Sequence, residues 1–228
     1  MENEVAVVLN STSTVNFQSI MVSRNESEEI EKMTRLQSSD PKWHAVRRDR
    51  ITASVAGDII KRRADNDPLV TRLKSTRKVM TEAMRHGVMF EPIAANAYSS
   101  LQNNNVNIFP CGIVVSPYAS WLAASPDRKV YNPAMRPPYG LLEIKCPVKQ
   151  LADCIYLTKS DDGRICLKKN HNYYYQVMMQ MAVTGLQWCH FFVWRPDEQH
   201  IEKINFDQEE WNDMKRKLDM FYFYHFLN

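Results

Sequence analysis

The chain alternates between segments with helical character and short apolar runs typical of β-strands. Capping residues and helical spacing predict helices over 52–63, 72–84, 91–100, 172–184 and 208–226. Strand-type runs occupy 106–115, 121–123, 141–146 and 188–194. Helices before, between and after a group of strands predict an α/β (α+β) domain in which helices cover a sheet.

The first 28 residues differ in composition from the rest of the chain. Residues 1–28 mix Ser, Thr, Asn and Glu with one short apolar patch, which predicts a poorly ordered N-terminal arm. Residues 29–228 show neither an internal repeat nor a low-complexity linker, and we predict that they form a single domain. A chain of this size buries about 70% of its unfolded surface, so it needs no disulfide or structural metal.

Glycine, apolar and cysteine patterns exclude several classes of protein. The six Gly residues include no Gly-x-Gly pair, which removes the glycine-based phosphate cradles. Apolar runs are shorter than the roughly 18 residues that span a bilayer, and Glu2 and Glu4 argue against a signal peptide. The five Cys form no Cys-x-x-Cys motif. We therefore expect an intracellular protein in a reducing compartment (cytoplasm, or nucleus if eukaryotic or viral) with no membrane partner.

Charge is distributed unevenly along the chain. Residues 42–85 contain twelve Lys/Arg and five acids, whereas residues 197–213 contain seven acids and a single base, Lys203. A basic half facing an acidic stretch is compatible with a polyanionic partner for one surface. Two solvated helix faces explain the same pattern equally well, so charge permits nucleic acid without requiring it.

The strand predicted at 141–146 carries an acid and a base on one face. Side chains alternate along a strand, so Glu143 and Lys145 share one side, and Leu142 and Ile144 lie on the other. In phosphodiester hydrolysis, a carboxylate can hold Mg²⁺ against the phosphate while an ammonium orients the attacking water. The alternative is a solvated ion pair on an edge strand.

Two further acids give this pair a context. Asp127 follows a strand-type run in the turn Ser125-Pro126-Asp127, and hairpin geometry can place it beside Glu143. Two carboxylates and the Ile144 carbonyl would make a site for a hard cation. Glu91 lies at a kink or at a helix start before Pro92, on a face of small and apolar residues, where an unpaired acid is costly.

The helix predicted at 172–184 places two amides one turn apart. Gln176 and Gln180 share a face with Tyr173. The simplest interpretation is an amphipathic core helix with its polar residues directed outward, and we expect this orientation for Gln180.

Five short motifs follow one another along the chain. They are Trp43–Arg47 with Ile51–Ser54, Gly87–Glu91, Ser125–Asp127, Glu143–Pro147 and Tyr175–Val177. In order and spacing they resemble the YqaJ-like viral recombinase family, which includes phage lambda exonuclease, within the PD-(D/E)XK nuclease superfamily. The resemblance covers roughly residues 40–195 and implies a restriction-endonuclease-like core, a mixed central β-sheet flanked by helices.

The resemblance implies catalytic and metal-binding roles. Asp127 and Glu143, with the Ile144 carbonyl, would ligate a catalytic Mg²⁺ or Mn²⁺, and two ions are expected. Glu91 would serve the second ion or hold a metal-bound water. Lys145 would position and activate the attacking water, and the remaining implied residue, Gln176, would brace the site.

The resemblance also implies contacts with DNA, and the sequence departs from the family pattern at two positions. Arg47 and Ser54 match the positions that hold the 5′ phosphate of a DNA end, a role for which a guanidinium fork is well suited. Arg128 follows Asp127 where the family usually has Gly, so that turn is altered or Arg128 adds a phosphate contact. Met178 replaces a common second Gln, and a thioether cannot replace an amide as a donor.

The function implied is a metal-dependent DNA exonuclease that digests one strand of a duplex from its end, 5′ to 3′, to supply single strands for recombination or repair. Expected partners are double-stranded DNA ends, a single-strand annealing protein and further copies of the chain in a homotrimer. The alternatives are an endonuclease with the same core, a catalytically inactive module that binds DNA ends, and an unrelated intracellular scaffold.

Overall fold

Most helices begin at a side chain that caps their first turn. The computed structural model describes residues 10–75, 80–160 and 163–227. Their helices are α1 (Ser11–Ile20), α2 (Arg24–Met33), α3 (Pro41–Arg48), α4 (Ala56–Ile60), α5 (Asp67–Lys74), α6 (Glu82–Leu101), α7 (Asn172–Thr184) and α8 (Gln208–Phe221). Backbone N–H groups are capped by the side chains of Asn10, Ser23, Asp40, Thr81, His171 and Asp207. Within the described ranges, no helix combines the length and the apolar character needed to cross a bilayer.

Among the residues that the structure describes, the strands form one larger sheet and two small ones. They are β1 (Ile51–Thr52), β2 (Asn107–Pro110), β3 (Val114–Val115), β4 (Leu122–Ala124), β5 (Arg128–Tyr131), β6 (Tyr139–Lys145), β7 (Leu157–Lys159), β8 (Ile165–Leu167), β9 (Trp188–Trp194) and β10 (Gln199–Asn205). The large sheet has the order β10-β9-β6-β5-β2. Its β6–β9 pair is parallel and its other pairs are antiparallel. The sheet is therefore mixed, as predicted.

Helices cover both faces of the large sheet because the side chains of β6 alternate. Leu142 and Ile144 pack with Ala94 and Tyr98 of α6 in one hydrophobic cluster. Leu141, on the opposite face, belongs to the cluster that contains the apolar residues of α7 and α8. Glu143 and Lys145 share the face of Leu141, so the pleat directs both toward α7.

The N-terminal segment requires a correction to the predicted arm. Residues 1–9 lie outside the described residues, but α1 and the start of α2 fall within residues 10–28. The Phe17 ring lies 5.8 Å from that of Trp121, and the Ser27 hydroxyl donates to the Val115 carbonyl over 2.5 Å. Residues 10–28 therefore form helices that pack against the rest of the domain, rather than an irregular arm. The extent of the domain beyond these helices stays a prediction.

The run predicted as one strand over 106–115 is two strands in different sheets. β2 ends at Pro110, which has no N–H for a continued ladder, and β3 starts at Val114. Two side chains at the end of α2 bind the amides between them: Glu31 of α2 accepts from Gly112 N, and Thr34, the C-cap of α2, accepts from Ile113 N. The connection is thus stabilised by a helix that the sequence patterns did not reveal.

Three helix predictions also change. The segment 52–63 begins in β1, continues as a 3₁₀ turn and is α-helical only in α4. The helix predicted over 72–84 is interrupted, because α5 ends at Lys74 and α6 starts after Thr81; residues 76–79 of this prediction lie outside the described residues. Glu91 lies inside α6, which continues through Pro92, so it does not start a new helix.

Helix α4 packs closely against the start of α7. A methyl group added at Gly57 of α4 would lie 2.6 Å from the Cα atom of Asn172. Asn172 also donates to the Asp58 carboxylate through its side-chain amide. The absence of a side chain at Gly57 therefore sets the separation of these two helices.

Candidate active site

Asp127 lies directly before β5 and contacts the neighbouring strand. Its Oδ2 atom accepts a hydrogen bond of 2.7 Å from the backbone N–H of Ile144. The β5–β6 register, with Arg128 opposite Leu142, brings this carboxylate beside the residues that follow Leu142. The structure thus brings Asp127 and Glu143 together across an antiparallel pair, as the hairpin geometry predicted.

Glu143 is buried and surrounded by donors. Its side chain is 2% exposed. Oε1 accepts from the Lys145 ammonium over 2.5 Å and from the Gln176 amide over 2.6 Å, and Oε2 accepts from the Gln180 amide over 2.7 Å. A buried carboxylate is stable only when it is paired and hydrogen-bonded in this way. These bonds also fix the orientation of the carboxylate plane.

Gln180 corrects one expectation from the sequence. It is 1% exposed and directed at Glu143, rather than outward into solvent. The signal was its spacing of one helical turn from Gln176, which puts both amides on the α7 face that covers β6. Met178 is buried on the same helix and is not an amide. The second amide contact to Glu143 comes from Gln180 instead.

Lys145 stays protonated in this environment. Burial would lower the pKa of its ammonium, but the charges of Glu143 and Asp127 outweigh that effect and raise the pKa above its ordinary value. Its Nζ atom also lies 4.4 Å from the ring centroid of Tyr173. Lys145 is therefore a positive charge and a hydrogen-bond donor beside Glu143.

Glu91, Asp127 and Glu143 form a carboxylate cluster, in which the surroundings of Asp127 disfavour a negative charge. Burial, followed by the charges of Glu143 and Glu91, raises the pKa of Asp127 well above its ordinary value. The ionised form is thus disfavoured in the protein as it stands. A cation bound beside Asp127 would stabilise its ionised form.

Glu91 lies at the same site but is bound to an arginine. Arg128 Nη1 donates to Glu91 Oε1 over 2.7 Å and to the Asp127 carbonyl over 2.5 Å. Within residues 10–75, 80–160 and 163–227, no three acidic, imidazole or thiol groups are already arranged as a metal-ligand cluster. In the described residues, Glu91 is paired with Arg128 and Glu143 with Lys145.

Arg47 and Ser54 form a second group linked to the first. Arg47 Nη2 donates to Ser54 Oγ over 3.1 Å, and its guanidinium carbon lies 4.0 Å from the Trp43 ring centroid. Trp43 Nε1 donates to Ser125 in the turn that carries Asp127. Burial lowers the Arg47 pKa to about 10, and Arg47 Nε is buried without a hydrogen-bond partner among the described atoms. A buried donor of this kind is well placed to bind an anion.

The mixed sheet between helices, with Asp127 before one strand and Glu143 and Lys145 on the next, defines the PD-(D/E)XK class of nuclease fold. The chain belongs to the YqaJ-like viral recombinase domain family, whose model matches residues 42–187. The family predicted from the five sequence motifs is therefore confirmed.

Solved structures with this fold include exonucleases. The chain is similar to the alkaline exonuclease LHK-Exo from Laribacter hongkongensis, with 26% identity, a TM-score of 0.64, and coverage of 82% of this chain and 92% of that chain. The Shutoff and Exonuclease Protein from Kaposi's sarcoma-associated herpesvirus has a TM-score of 0.54 at 14% identity, covering 85% of this chain and 70% of that one. The second likeness concerns the fold alone.

A curated relative comes from a giant virus. The uncharacterized protein R354 of Acanthamoeba polyphaga mimivirus is 28% identical over 178 residues, which cover 74% of this chain and 31% of that protein. The chain thus spans about a third of the length of this relative.

Proposed function

We propose that the chain is a divalent-metal-dependent DNA exonuclease that hydrolyses one strand from a duplex end. The observation that carries the proposal is the meeting of Asp127 and Glu143 at adjacent strands, with Lys145 held as a cation beside them. The likeness to LHK-Exo supports the same activity, and that enzyme has also been solved in complex with dAMP.

The donor set suits a hard divalent ion, Mg²⁺ or Mn²⁺. Carboxylate oxygens of Asp127 and Glu143 and the Ile144 carbonyl would hold it, since such oxygens are the preferred ligands of these ions. The raised pKa of Asp127 supports this assignment, because burial and the charges of Glu143 and Glu91 disfavour its ionised form, which a bound cation would stabilise. When bound, the ion polarises the phosphate and makes water a stronger nucleophile at neutral pH.

The protein side chains orient the reaction. An ammonium has three N–H donors, so Lys145 can keep its bond to Glu143 while it orients the attacking water and offsets charge on the phosphate oxygens. Gln176 and Gln180 hold the Glu143 carboxylate in place during this step.

The DNA end would be held by Arg47 and Ser54. A 5′ phosphate at this position could accept from the Arg47 guanidinium, whose Nη2 atom already donates to Ser54. The ring of Trp43 connects this group to Ser125, two residues before Asp127, so one strand could reach both groups. This arrangement favours digestion in the 5′ to 3′ direction.

Basic residues provide a further surface for duplex DNA. A cavity of about 930 Å³ at the ends of α4 and α8 is lined by Lys61, Arg62, Arg63 and Lys217. It adjoins Tyr175, the neighbour of Gln176. The basic segment of the sequence thus contributes Lys61, Arg62 and Arg63 to one concave surface. An intracellular location, a single-strand annealing partner and a homotrimer remain proposals that follow from the family.

An assay with DNA of different topology tests the proposal. We expect end-labelled linear duplex to be degraded in Mg²⁺, while a covalently closed circle stays intact and chelation by EDTA stops the reaction. Gel analysis of the products measures all three outcomes. Cleavage of the circle would indicate an endonuclease, and DNA binding without cleavage in any metal would indicate an inactive end-binding module.

Arg47→Gln is expected to reduce the preference for a 5′-phosphorylated end. Loss of a charge-assisted bond to phosphate costs about 1.5–3 kcal/mol, which corresponds to roughly a tenfold to hundredfold loss in kcat/KM on phosphorylated duplex. Initial rates on duplexes with 5′-phosphate and 5′-hydroxyl ends measure the change.

Arg48→Gln is the matched control, because the neighbouring Arg48 is exposed and lies 3.5 Å from Asp49. It should leave the end preference unchanged. An equal loss in both variants, or none in Arg47→Gln, would contradict the assignment of Arg47.

A further inference from the structure

We propose that Arg128 occupies the place of a second cation, so that the candidate active site binds a single divalent ion. This inference rests on the proposed function and revises the expectation of two ions. It assigns Arg128 a positioning role toward Glu91 rather than a phosphate contact.

The strand geometry directs Arg128 at Glu91. Arg128 and Val130 share a face of β5, and Val130 packs with Ala94 of α6, the helix that also carries Glu91. The intervening residue, Lys129, points to the other side and lies 3.1 Å from Glu31 of α2. The ion pair between Arg128 and Glu91 therefore follows from the pleat of β5.

Both groups are largely shielded from water. The side chains of Arg128 and Glu91 are 21% and 30% exposed, and the same Nη1 atom contacts Glu91 and the Asp127 carbonyl. The guanidinium thus connects two parts of the carboxylate cluster. A guanidinium does not lose its proton in proteins, so this positive charge is permanent.

Charge counting favours one ion over two. The formal charges of Glu91, Asp127 and Glu143 sum to −3, and those of Lys145 and Arg128 sum to +2, which leaves −1. One divalent ion takes the site to +1, a charge that a single phosphodiester neutralises. A second divalent ion would give +3 and would have to displace Arg128 from Glu91. Without Arg128 the site would start at −2, which two divalent ions and substrate phosphates can balance.

Metal stoichiometry tests the inference. Calorimetric titration of Mn²⁺ into the full chain bound to a phosphorothioate duplex is expected to give one ion per chain. Arg128→Gln should give two ions, and spin–spin broadening of the Mn²⁺ electron paramagnetic resonance signal should show that they are close. Arg128→Lys keeps the charge and should remain at one ion.

Lys129→Gln is the matched control, since it removes the same charge from the adjacent position of β5 but on the opposite face. It should bind one ion. Two ions in the unmodified chain, or one in Arg128→Gln, would overturn the inference while leaving the proposed function intact. Absence of Mn²⁺ binding in the unmodified chain would instead overturn the proposed metal dependence and, with it, the role of Arg128.

Discussion

Asp127→Asn is expected to abolish hydrolysis while the protein still binds DNA. An amide oxygen can accept the same bond from Ile144 N, so the turn keeps its geometry. The amide carries no negative charge, and the ion would lose one of its two charged ligands. We expect cleavage to fall about a thousandfold or more, which is about 4 kcal/mol in the activation free energy. Single-turnover cleavage of labelled duplex measures the loss, and fluorescence anisotropy measures DNA affinity.

Asp153→Asn provides a control, because Asp153 is an exposed acid in the short helix Leu151–Asp153. It should cleave at the parent rate. If Asp127→Asn also cleaved linear duplex at the parent rate in Mg²⁺, Asp127 would not be a metal ligand and the site would have to be placed elsewhere.

Lys145→Met is expected to lower both activity and stability. Removal of the ammonium takes away the donor that orients water and offsets charge on the phosphate, a loss of about 10²–10³-fold in kcat. It also leaves Glu143 buried with only the amides of Gln176 and Gln180 as partners. Breaking a buried ion pair on one side costs about 3–5 kcal/mol in the free energy of unfolding. Urea denaturation without metal measures this cost, which should shrink when Mg²⁺ is added.

Lys215→Met is the matched control for this variant. Lys215 also pairs with a carboxylate, Asp219, and lies 5.3 Å from the ring centroid of Trp121, but it is farther from the sheet interior and more exposed. We expect a stability loss of about 1 kcal/mol or less and full activity. The double variant Glu143→Gln/Lys145→Met separates the effects, because it removes the unpaired charge and should recover stability without recovering cleavage. If the double variant recovered neither stability nor cleavage, Glu143 and Lys145 would contribute through packing alone.

Local signals in the sequence were enough to predict helix α7 and strand β9. The bounds of α7 and β9 match the predicted ranges, because Gly185 ends the helix in a left-handed conformation and β9 is apolar along its whole length. The edge strand β10 was missed because its seven residues include charged and polar side chains at exposed positions. Its pairing with β9 is made by backbone bonds, which side-chain patterns do not report.

The site was predictable where neighbours in sequence are neighbours in space, and where a turn joins two strands. Glu143 and Lys145 share a strand face, and the β5–β6 hairpin brings Asp127 to them. The bond between Arg128 and Glu91 joins residues 37 positions apart, so no local spacing indicates it. Gln180 was assigned the wrong direction because helical periodicity identifies a polar face but not a buried carboxylate opposite it.

The close packing of Gly57 against Asn172 makes the chemistry sensitive to a residue that touches none of the reacting groups. Both amides that hold Glu143 belong to α7, so any displacement of that helix is transmitted directly to the carboxylate. A bulkier residue at Gly57 would move the start of α7 away from α4 and tilt Gln176 out of line. Variants that fold yet fail to cut DNA are therefore expected at the contact between α4 and α7 as well as in the carboxylate cluster.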